Sequence, residues 1–160
     1  MKNKHNNKVA VHPPIHRNPT RNELHKLLRY TFRTDMVMCR AIILALHAGM
    51  RVAELLKLRF RDIDLALMVI TAPSSNRGAA RTIPITAVLA DWLALFSVGA
   101  PDDLVVPLPP AEFLRRLAKL KKAAGISSWG KDVFRRGYAT SQLWSAPTAA
   151  QQAMLGHSGN

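Results

Sequence analysis

An apolar run that ends in a glycine, with an arginine close behind it, constrains the fold of this chain more than any other feature. Residues 36–48 are apolar on nearly every side, which predicts a helix inside the core. Gly49 suits the left-handed turn that ends a helix, and Arg51 lies at the start of a second, short helix at 52–58. An arginine fixed between two helices can hold a phosphate by a bidentate contact. This stretch alone fits a solvated arginine at a helix start equally well.

The charge of the chain favours a polyanionic partner. The 160 residues are enough for one domain with a core, and they carry a formal net charge of +13. Such an excess indicates nucleic acid first and an anionic membrane surface second. No apolar stretch is long enough to span a membrane, and no signal peptide is recognisable. We therefore expect a cytoplasmic protein with no membrane partner.

The single cysteine, Cys39, excludes an internal disulfide and fits a reducing compartment. Because it lies in the apolar run, a buried structural thiol is the favoured interpretation. The histidines of the N-terminal segment, His5, His12 and His16, lack the spacing of a metal site. We expect neither a metal nor a cofactor.

Two parts of unequal size are predicted. Residues 1–19 are basic and rich in Asn and Pro, which indicates a flexible N-terminal arm. Residues 20–160 form the domain, and its first helix follows a capping box at Thr20 and Glu23. That helix should turn Leu24, Leu27 and Leu28 inward.

The middle of the chain predicts a small sheet between helices. A strand at 67–71 leads into a polar hairpin loop at 73–80 and a returning strand at 81–85, where Pro84 indicates a sheet edge. Residues 61–64 read as a turn. Helices are predicted at 87–96, from 109 to 124, around 131–143 and near 147–157. The apolar stripe of the helix from 109 to 124 is Phe113, Leu114, Leu117, Leu120 and Ala124. The predicted fold class is mainly α with a small antiparallel β-sheet, an α+β domain.

Basic residues concentrate between positions 115 and 136, where a single acidic residue, Asp132, opposes them. They are Arg115, Arg116, Lys119, Lys121, Lys122, Lys131, Arg135 and Arg136. A charge run is often only a solvated face. Together with the excess charge of the chain, this one favours a phosphate-binding surface. Such contacts position a protein on DNA and carry no sequence information.

Five segments, in order, resemble motifs of the tyrosine recombinase (phage integrase) catalytic domain, and the resemblance extends from Thr20 to the end. The family patterns are T-G-x-R-x-x-E-L-x-x-L, W-x-D-I-D, R-x-V-P-L, L-R-R-T-F-A-T and L-G-H-S. The corresponding segments are residues 48–58, 61–64, 81–85, 134–140 and 155–158. Each segment alone is weak, whereas five in the right order and spacing are a strong signal.

The resemblance implies DNA strand cleavage by a tyrosine that forms a 3′-phosphotyrosyl link. Two arginines offset the negative charge of the phosphorane-like transition state. A lysine on the hairpin protonates the leaving 5′-oxygen, and histidines assist proton transfer at the nucleophile.

The resemblance assigns catalytic positions to Arg51 and Arg135, the two arginines, and to His157, the second histidine. It assigns Glu54 to the acidic residue that supports the first arginine. Further phosphate or DNA contacts are expected from basic residues of the hairpin and of the helices beyond it. These are Arg77, Arg81, Lys119, Lys122, Lys131 and Arg136.

Two positions depart from the family pattern. Asn76 stands where the family has the hairpin lysine, with Arg77 beside it. An arginine holds its proton too tightly to be a good acid at neutral pH. Asp132 stands where the family has its first histidine, and Lys131 could replace that group only with a shift of one residue.

The nucleophile is the largest departure. The family's tyrosine lies well beyond the L-G-H histidine, whereas this sequence ends at Asn160. The two tyrosines are Tyr30, in the first predicted helix, and Tyr138, at an aromatic position that suggests the core. We therefore expect a C-terminally truncated recombinase-type domain that binds double-stranded DNA and does not cleave it alone.

Two alternatives remain open. The chain could be an active subunit that uses a tyrosine supplied in trans, by self-association or by a full-length recombinase. It could also be a non-catalytic, basic DNA-binding regulator. The sequence fits a decayed integrase of a mobile element, a chain whose C-terminal residues were removed, or a natural non-cutting relative equally well.

Overall fold

A computed structural model describes residues 19–74, 79–126, 129 and 133. The hairpin residues Asn76 and Arg77 lie outside the described residues, as do the predicted N-terminal arm up to position 18 and, apart from Val133, the last two predicted helices. The domain boundary predicted at position 20 stays a prediction.

The first helix, α1 (Arg21–Thr34), begins at the predicted capping box. The Thr20 hydroxyl accepts the Glu23 backbone N–H at 3.2 Å, and the Glu23 carboxylate accepts the Thr20 backbone N–H at 2.8 Å. These two bonds satisfy backbone donors that a helix start otherwise leaves unpaired. Leu24, Leu27 and Leu28 are buried, so this prediction is confirmed.

Helix α2 (Met36–Ala48) is the centre of the core and contacts α1 and three later helices. Asp35 caps its start by accepting the Met38 N–H at 3.1 Å. Cys39 is fully buried, as predicted, and burial raises the pKa of its thiol to about 11. Gly49 ends the helix in the left-handed region, with φ 60° and ψ 29°.

The next helix, α3 (Val52–Leu55), is shorter than the predicted 52–58. The chain leaves the helix because the Leu58 carbonyl accepts the Val105 N–H at 2.8 Å, and Arg59 pairs with Leu104 in a β-bridge. A short 3-10 turn, Phe60–Asp62, follows. The segment at 104–106 thus pairs with Leu58 and Arg59, which follow α3.

Three antiparallel strands in the order β1-β2-β3 form the sheet: β1 (Ile63–Asp64), β2 (Val69–Ala72) and β3 (Arg81–Pro84). Ile70 pairs with Ile83, and Ala72 with Arg81. Pro84 lies on the edge strand, as predicted. The interpretation of 61–64 as a turn was wrong in part, because Ile63 and Asp64 pair with β2.

The predicted strand at 67–71 began too early. Leu67 and Met68 lie in the turn between β1 and β2, where Met68 has a φ of 55°. Strand β1 ends at Asp64, and the turn that follows it includes Leu67 and Met68, which the apolar pattern had assigned to the strand.

Helix α4 (Ala87–Ala94) packs against α2, and α5 (Pro110–Ala123) packs against α1 and α2. Phe113 and Leu120 are buried in α5, whereas Leu114 is 59% exposed, contrary to the predicted stripe. Phe113, Leu117 and Leu120 repeat at i, i+4 and i+7 on one face, and Leu114 is rotated away from that face. In the described part of the chain, no helix is both long and apolar enough to cross a membrane.

Candidate nucleic-acid interface

The turn at Gly49 places Arg51 at the start of α3. Arg51 is the N-cap residue and has an extended backbone, with φ −76° and ψ 152°. Its backbone N–H donates to Glu54 Oε2 at 2.8 Å, and its Nη1 donates to Glu54 Oε1 at 3.2 Å. Both bonds fix the arginine to the helix that it begins, so its guanidinium is held close to the helix start.

Glu54 is a buried carboxylate between two arginines. Its side chain is 3% exposed, and its Oε2 also accepts a hydrogen bond from Arg81 Nη2 at 3.2 Å. The same Arg81 nitrogen donates to the Gly49 carbonyl at 3.2 Å. Arg81 begins β3, so the sheet and the α2–α3 turn meet at this carboxylate.

The charge state of Glu54 follows from these contacts. Burial by itself raises the pKa of this carboxyl, but hydrogen bonds from Arg51 and Arg81 outweigh it, and the pKa is lowered. The ionised carboxylate separates two guanidinium groups that would otherwise repel each other. The Arg51 and Arg81 side chains remain 35% and 42% exposed, so part of each cation faces solvent.

Lys57 lies one turn after Glu54 and was not singled out from the sequence. Its side chain is exposed, and its Nζ donates to the Ser74 carbonyl at 3.5 Å. Ser74 follows β2, whereas Arg81 opens β3. Lys57 and Glu54 therefore contact the chain on both sides of the β2–β3 connection. The sequence signal that could have identified Lys57 is its spacing of three residues from Glu54, which places the two residues one helical turn apart.

Two arginines of α5 are already paired with carboxylates. Arg115 donates through Nε and Nη2 to Glu112, at 2.7 Å each. Arg116 donates to Glu112 at 2.7 Å and to Asp35 at 3.1 Å. Hydrogen bonds from these arginines lower the pKa of Glu112 to about 2. This part of the predicted phosphate-binding surface is thus largely neutralised, while Lys119 and Lys122 remain exposed.

A buried arginine in α2, Arg40, also escaped the sequence analysis. It is 7% exposed and lies over the rings of Phe60 and Phe96, each with its centroid 5.3 Å away. Nη1 donates to the Val105 carbonyl at 3.0 Å, and Nη2 to the Ser97 carbonyl at 3.3 Å. Burial lowers the pKa of Arg40. Arg40 therefore connects the loop after α4 to the core. The sequence signal for this residue was a single basic residue inside an apolar run.

The structure brings together Arg51, Glu54 and Arg81 from the predicted site, and it places Lys119 and Lys122 on α5. The other predicted site residues lie outside the described residues: Arg77, Lys131, Arg135, Arg136 and His157, together with Asn76 and Asp132. Lys121 Nζ lies 5.6 Å from the centroid of the buried Trp129 ring, which connects α5 to the chain that follows it. Among the residues described, no group of three or more His, Cys, Asp or Glu could hold a metal ion.

Solved structures show the class of this fold. A crystal structure of XerA recombinase matches with a TM-score of 0.60 and 24% identity, over 92% of this chain and 57% of that one. A lambda integrase dimer bound to a COC' core site matches with a TM-score of 0.63 and 20% identity, over 96% and 62% of the two chains. The Tn1549 transposon integrase in complex with circular intermediate DNA matches with a TM-score of 0.58 and 18% identity, over 94% and 59%. The mainly helical domain with its three-stranded antiparallel sheet is thus the catalytic-domain fold of tyrosine recombinases.

The phage integrase family model matches residues 18–160, and the chain belongs to this family. Among curated proteins, no significant match was found. The chain spans roughly three fifths of the length of the solved structures named above.

Proposed function

We propose that this chain is an integrase-family domain that binds the phosphate backbone of double-stranded DNA and does not cleave it alone. The observation that carries the proposal is the buried Glu54 carboxylate with Arg51 and Arg81 on either side of it. An arginine pair held in place before the ligand arrives loses little side-chain entropy on binding a phosphate. Because Glu54 offsets one of two positive charges, the cluster keeps a net charge of +1.

The remaining roles follow the family pattern. Arg51 and Arg135 would contact the same scissile phosphate, and His157 would assist proton transfer there. Lys119 and Lys122, exposed on α5, would contact neighbouring phosphates. Arg77, Lys131 and Arg136 are proposed for the same role. No cofactor is proposed, because guanidinium groups can supply the charge stabilisation.

The second part of the proposal, the lack of cleavage, rests on the tyrosines. Tyr30 lies on α1, at a surface hollow of about 200 Å³ that it shares with Arg115, Arg116 and Lys119. Within the described part of the chain, no hydrogen bond or ion pair joins it to Arg51, Glu54 or Arg81. Tyr138 occupies the aromatic position of the 134–140 motif, for which a core role is proposed.

A second candidate is an active subunit that receives a tyrosine in trans. Matched structures of lambda integrase include a dimer bound to a COC' core site and a tetramer bound to a Holliday junction. Those assemblies support self-association of this chain; association with a full-length recombinase is the alternative source of the tyrosine in this proposal. We further propose a cytoplasmic location and an origin in a mobile element, since the matched structures include a transposon integrase.

Salt-dependent DNA binding tests the proposed phosphate site. We expect Arg51→Ala and Arg81→Ala each to weaken binding to a fluorescein-labelled duplex. Each should also reduce the slope of log K against log[salt] by about 0.9, the value for one lost phosphate contact. Fluorescence anisotropy over a KCl series measures both quantities. Arg33→Ala, which removes an exposed arginine from the end of α1, is the matched control.

Folding must be separated from binding in this test. Arg51→Lys keeps the charge but loses the planar fork, so its slope should stay near that of the unaltered chain while its affinity falls. Circular dichroism melting identifies any variant that is unfolded at the assay temperature. If folded Arg51→Ala and Arg81→Ala variants both bind with unaltered slope, the phosphate site is assigned to the wrong residues.

A further inference from the structure

We infer that Lys57 is the third cation of this phosphate-binding site, where it contacts a DNA phosphate beside the one held by Arg51 and Arg81. The inference rests on the proposed DNA-binding function. It extends that function to a residue that lies outside the basic residues assigned above.

Two hydrogen bonds define the position of Lys57, one to Glu54 and one to Ser74. Its backbone N–H donates to the Glu54 carbonyl at 3.1 Å, which places it one turn beyond the buried carboxylate. Its Nζ lies 3.5 Å from the Ser74 carbonyl at the end of β2. Arg81, at the start of the paired strand β3, contacts the same Glu54. Lys57 and Glu54 therefore contact residues on either side of the β2–β3 connection, Ser74 before it and Arg81 after it.

Lys57 has no carboxylate partner among the residues that the structure describes. Its one hydrogen bond is long and goes to a neutral carbonyl, and its side chain is exposed. Arg115 and Arg116 differ in this respect, because Glu112 and Asp35 already hold them. An ammonium without a counter-ion keeps most of its attraction for an incoming phosphate, whereas a paired guanidinium must exchange one anion for another.

The local charge favours an anion with more than one phosphate group. Arg51, Arg81 and Lys57 carry three positive charges against the single negative charge of Glu54, which leaves an excess of two. The planar guanidinium groups of the two arginines orient one phosphate. The lysine ammonium is a point charge on a flexible side chain, so it can reach the neighbouring phosphate. The ligand class is therefore a polyanionic backbone rather than a single small anion.

Three substitutions at position 57 test the inference. Lys57→Ala should weaken duplex binding roughly eightfold at about 0.1 M salt and lower the salt slope by about 0.9, as expected for one lost phosphate contact. Lys57→Gln can still donate to the Ser74 carbonyl but carries no charge, so it should show the same losses. Lys57→Arg should restore the slope. Lys26→Ala, an exposed lysine of α1, is the matched control and should bind like the unaltered chain.

The outcomes separate the inference from the proposed function. If Lys57→Gln binds normally while Lys57→Ala is weakened, Lys57 serves only to hold the hairpin, and the inference is wrong. The inference also fails if all three Lys57 variants keep the full slope while Arg51→Ala loses it, and the proposed function then stands. Unaltered binding in both the Lys57 and the Arg51 variants would overturn both.

Discussion

At the scale of single residues, one buried carboxylate organises the candidate site. Glu54 accepts hydrogen bonds from the Arg51 backbone, the Arg51 guanidinium and the Arg81 guanidinium. A carboxylate near a phosphate is unfavourable unless it is paired, and here both oxygens are used by arginines. In the proposed site, Glu54 therefore positions the two cations, and the cations are the groups that contact DNA.

The lowered pKa of Glu54 makes its contribution to stability depend on pH. The folded-state pKa lies below the usual 4.5, so the stabilisation is present above pH 4.5 and is lost as pH falls through the folded value. We expect Glu54→Gln to lower the free energy of unfolding by about 1.5–3 kcal/mol at neutral pH. Urea denaturation at pH 7 and in acid should show this difference shrinking as the carboxyl is protonated.

Glu112→Gln is the control for this pH effect. Glu112 also pairs with two arginines, but its pairs lie at the surface, where solvent screens them. Its substitution should change stability less than that of Glu54. A Glu54→Gln deficit that is the same at pH 7 and in acid would show that the ionised carboxylate is not the stabilising species.

At the scale of elements, the junction between α2 and α3 sets the position of Arg51. Gly49 ends α2 in the left-handed conformation, its carbonyl accepts a bond from Arg81, and Arg51 begins the next helix two residues later. A glycine takes this conformation without the steric penalty that a Cβ imposes. The turn therefore connects the helical core to the charged cluster and to β3.

Substitution of Gly49 should be costly at this junction. Gly49→Ala places a Cβ in the left-handed region, and we expect a loss of about 1–2 kcal/mol in the free energy of unfolding. Gly125→Ala provides the matched control: its φ is 70°, and a Cβ built there meets nothing within 4 Å. Its loss measures the backbone penalty alone. Thermal and urea unfolding that leave Gly49→Ala as stable as the unaltered chain would contradict this account of the turn.

At the scale of the whole molecule, the net charge of +13 is not evenly available for binding. Arg40 is buried against two aromatic rings, and Arg115 and Arg116 are paired on α5. Arg51 and Arg81 instead share the Glu54 carboxylate and remain partly exposed. Lys57 is exposed, and its side chain donates to a backbone carbonyl. These three residues are the cations of the proposed phosphate site.

The tyrosine content of the 160-residue chain leads to a prediction about the whole molecule. Tyr30 lies on α1, in a hollow that it shares with Arg115, Arg116 and Lys119, and the other tyrosine of the sequence is Tyr138. Incubation with a nicked suicide duplex should yield no covalent protein–DNA adduct on a denaturing gel. A recombinase with its own tyrosine, run in parallel on its own substrate, shows that the assay detects adducts. A tyrosine-linked adduct formed by the purified chain alone would overturn the non-cleaving proposal.

Much of the fold was predictable because its signals are local. The capping box at Thr20, the apolar run of α2 and the glycine at position 49 each act within a few residues. Strand β1 was missed because two residues carry no periodicity of their own. Leu114 was assigned to the core because helical spacing alone does not define how wide the buried face of a helix is. The packing of α5 on α1 and α2 defines that width and leaves Leu114 exposed.

The sequence by itself determined the start of α1 at its capping box, the end of α2 at Gly49, the sheet edge at Pro84, the order of the family motifs and the roles expected of Arg51 and Glu54. Only the tertiary structure decided that Arg81 pairs with Glu54, that Lys57 contacts Ser74 and that Asp35 pairs with Arg116 of α5. Residues 54 and 81 are 27 positions apart. Hydrogen bonds and ion pairs act over a few ångströms. Residues that are far apart in sequence can therefore pair only where the fold of the intervening chain brings them together.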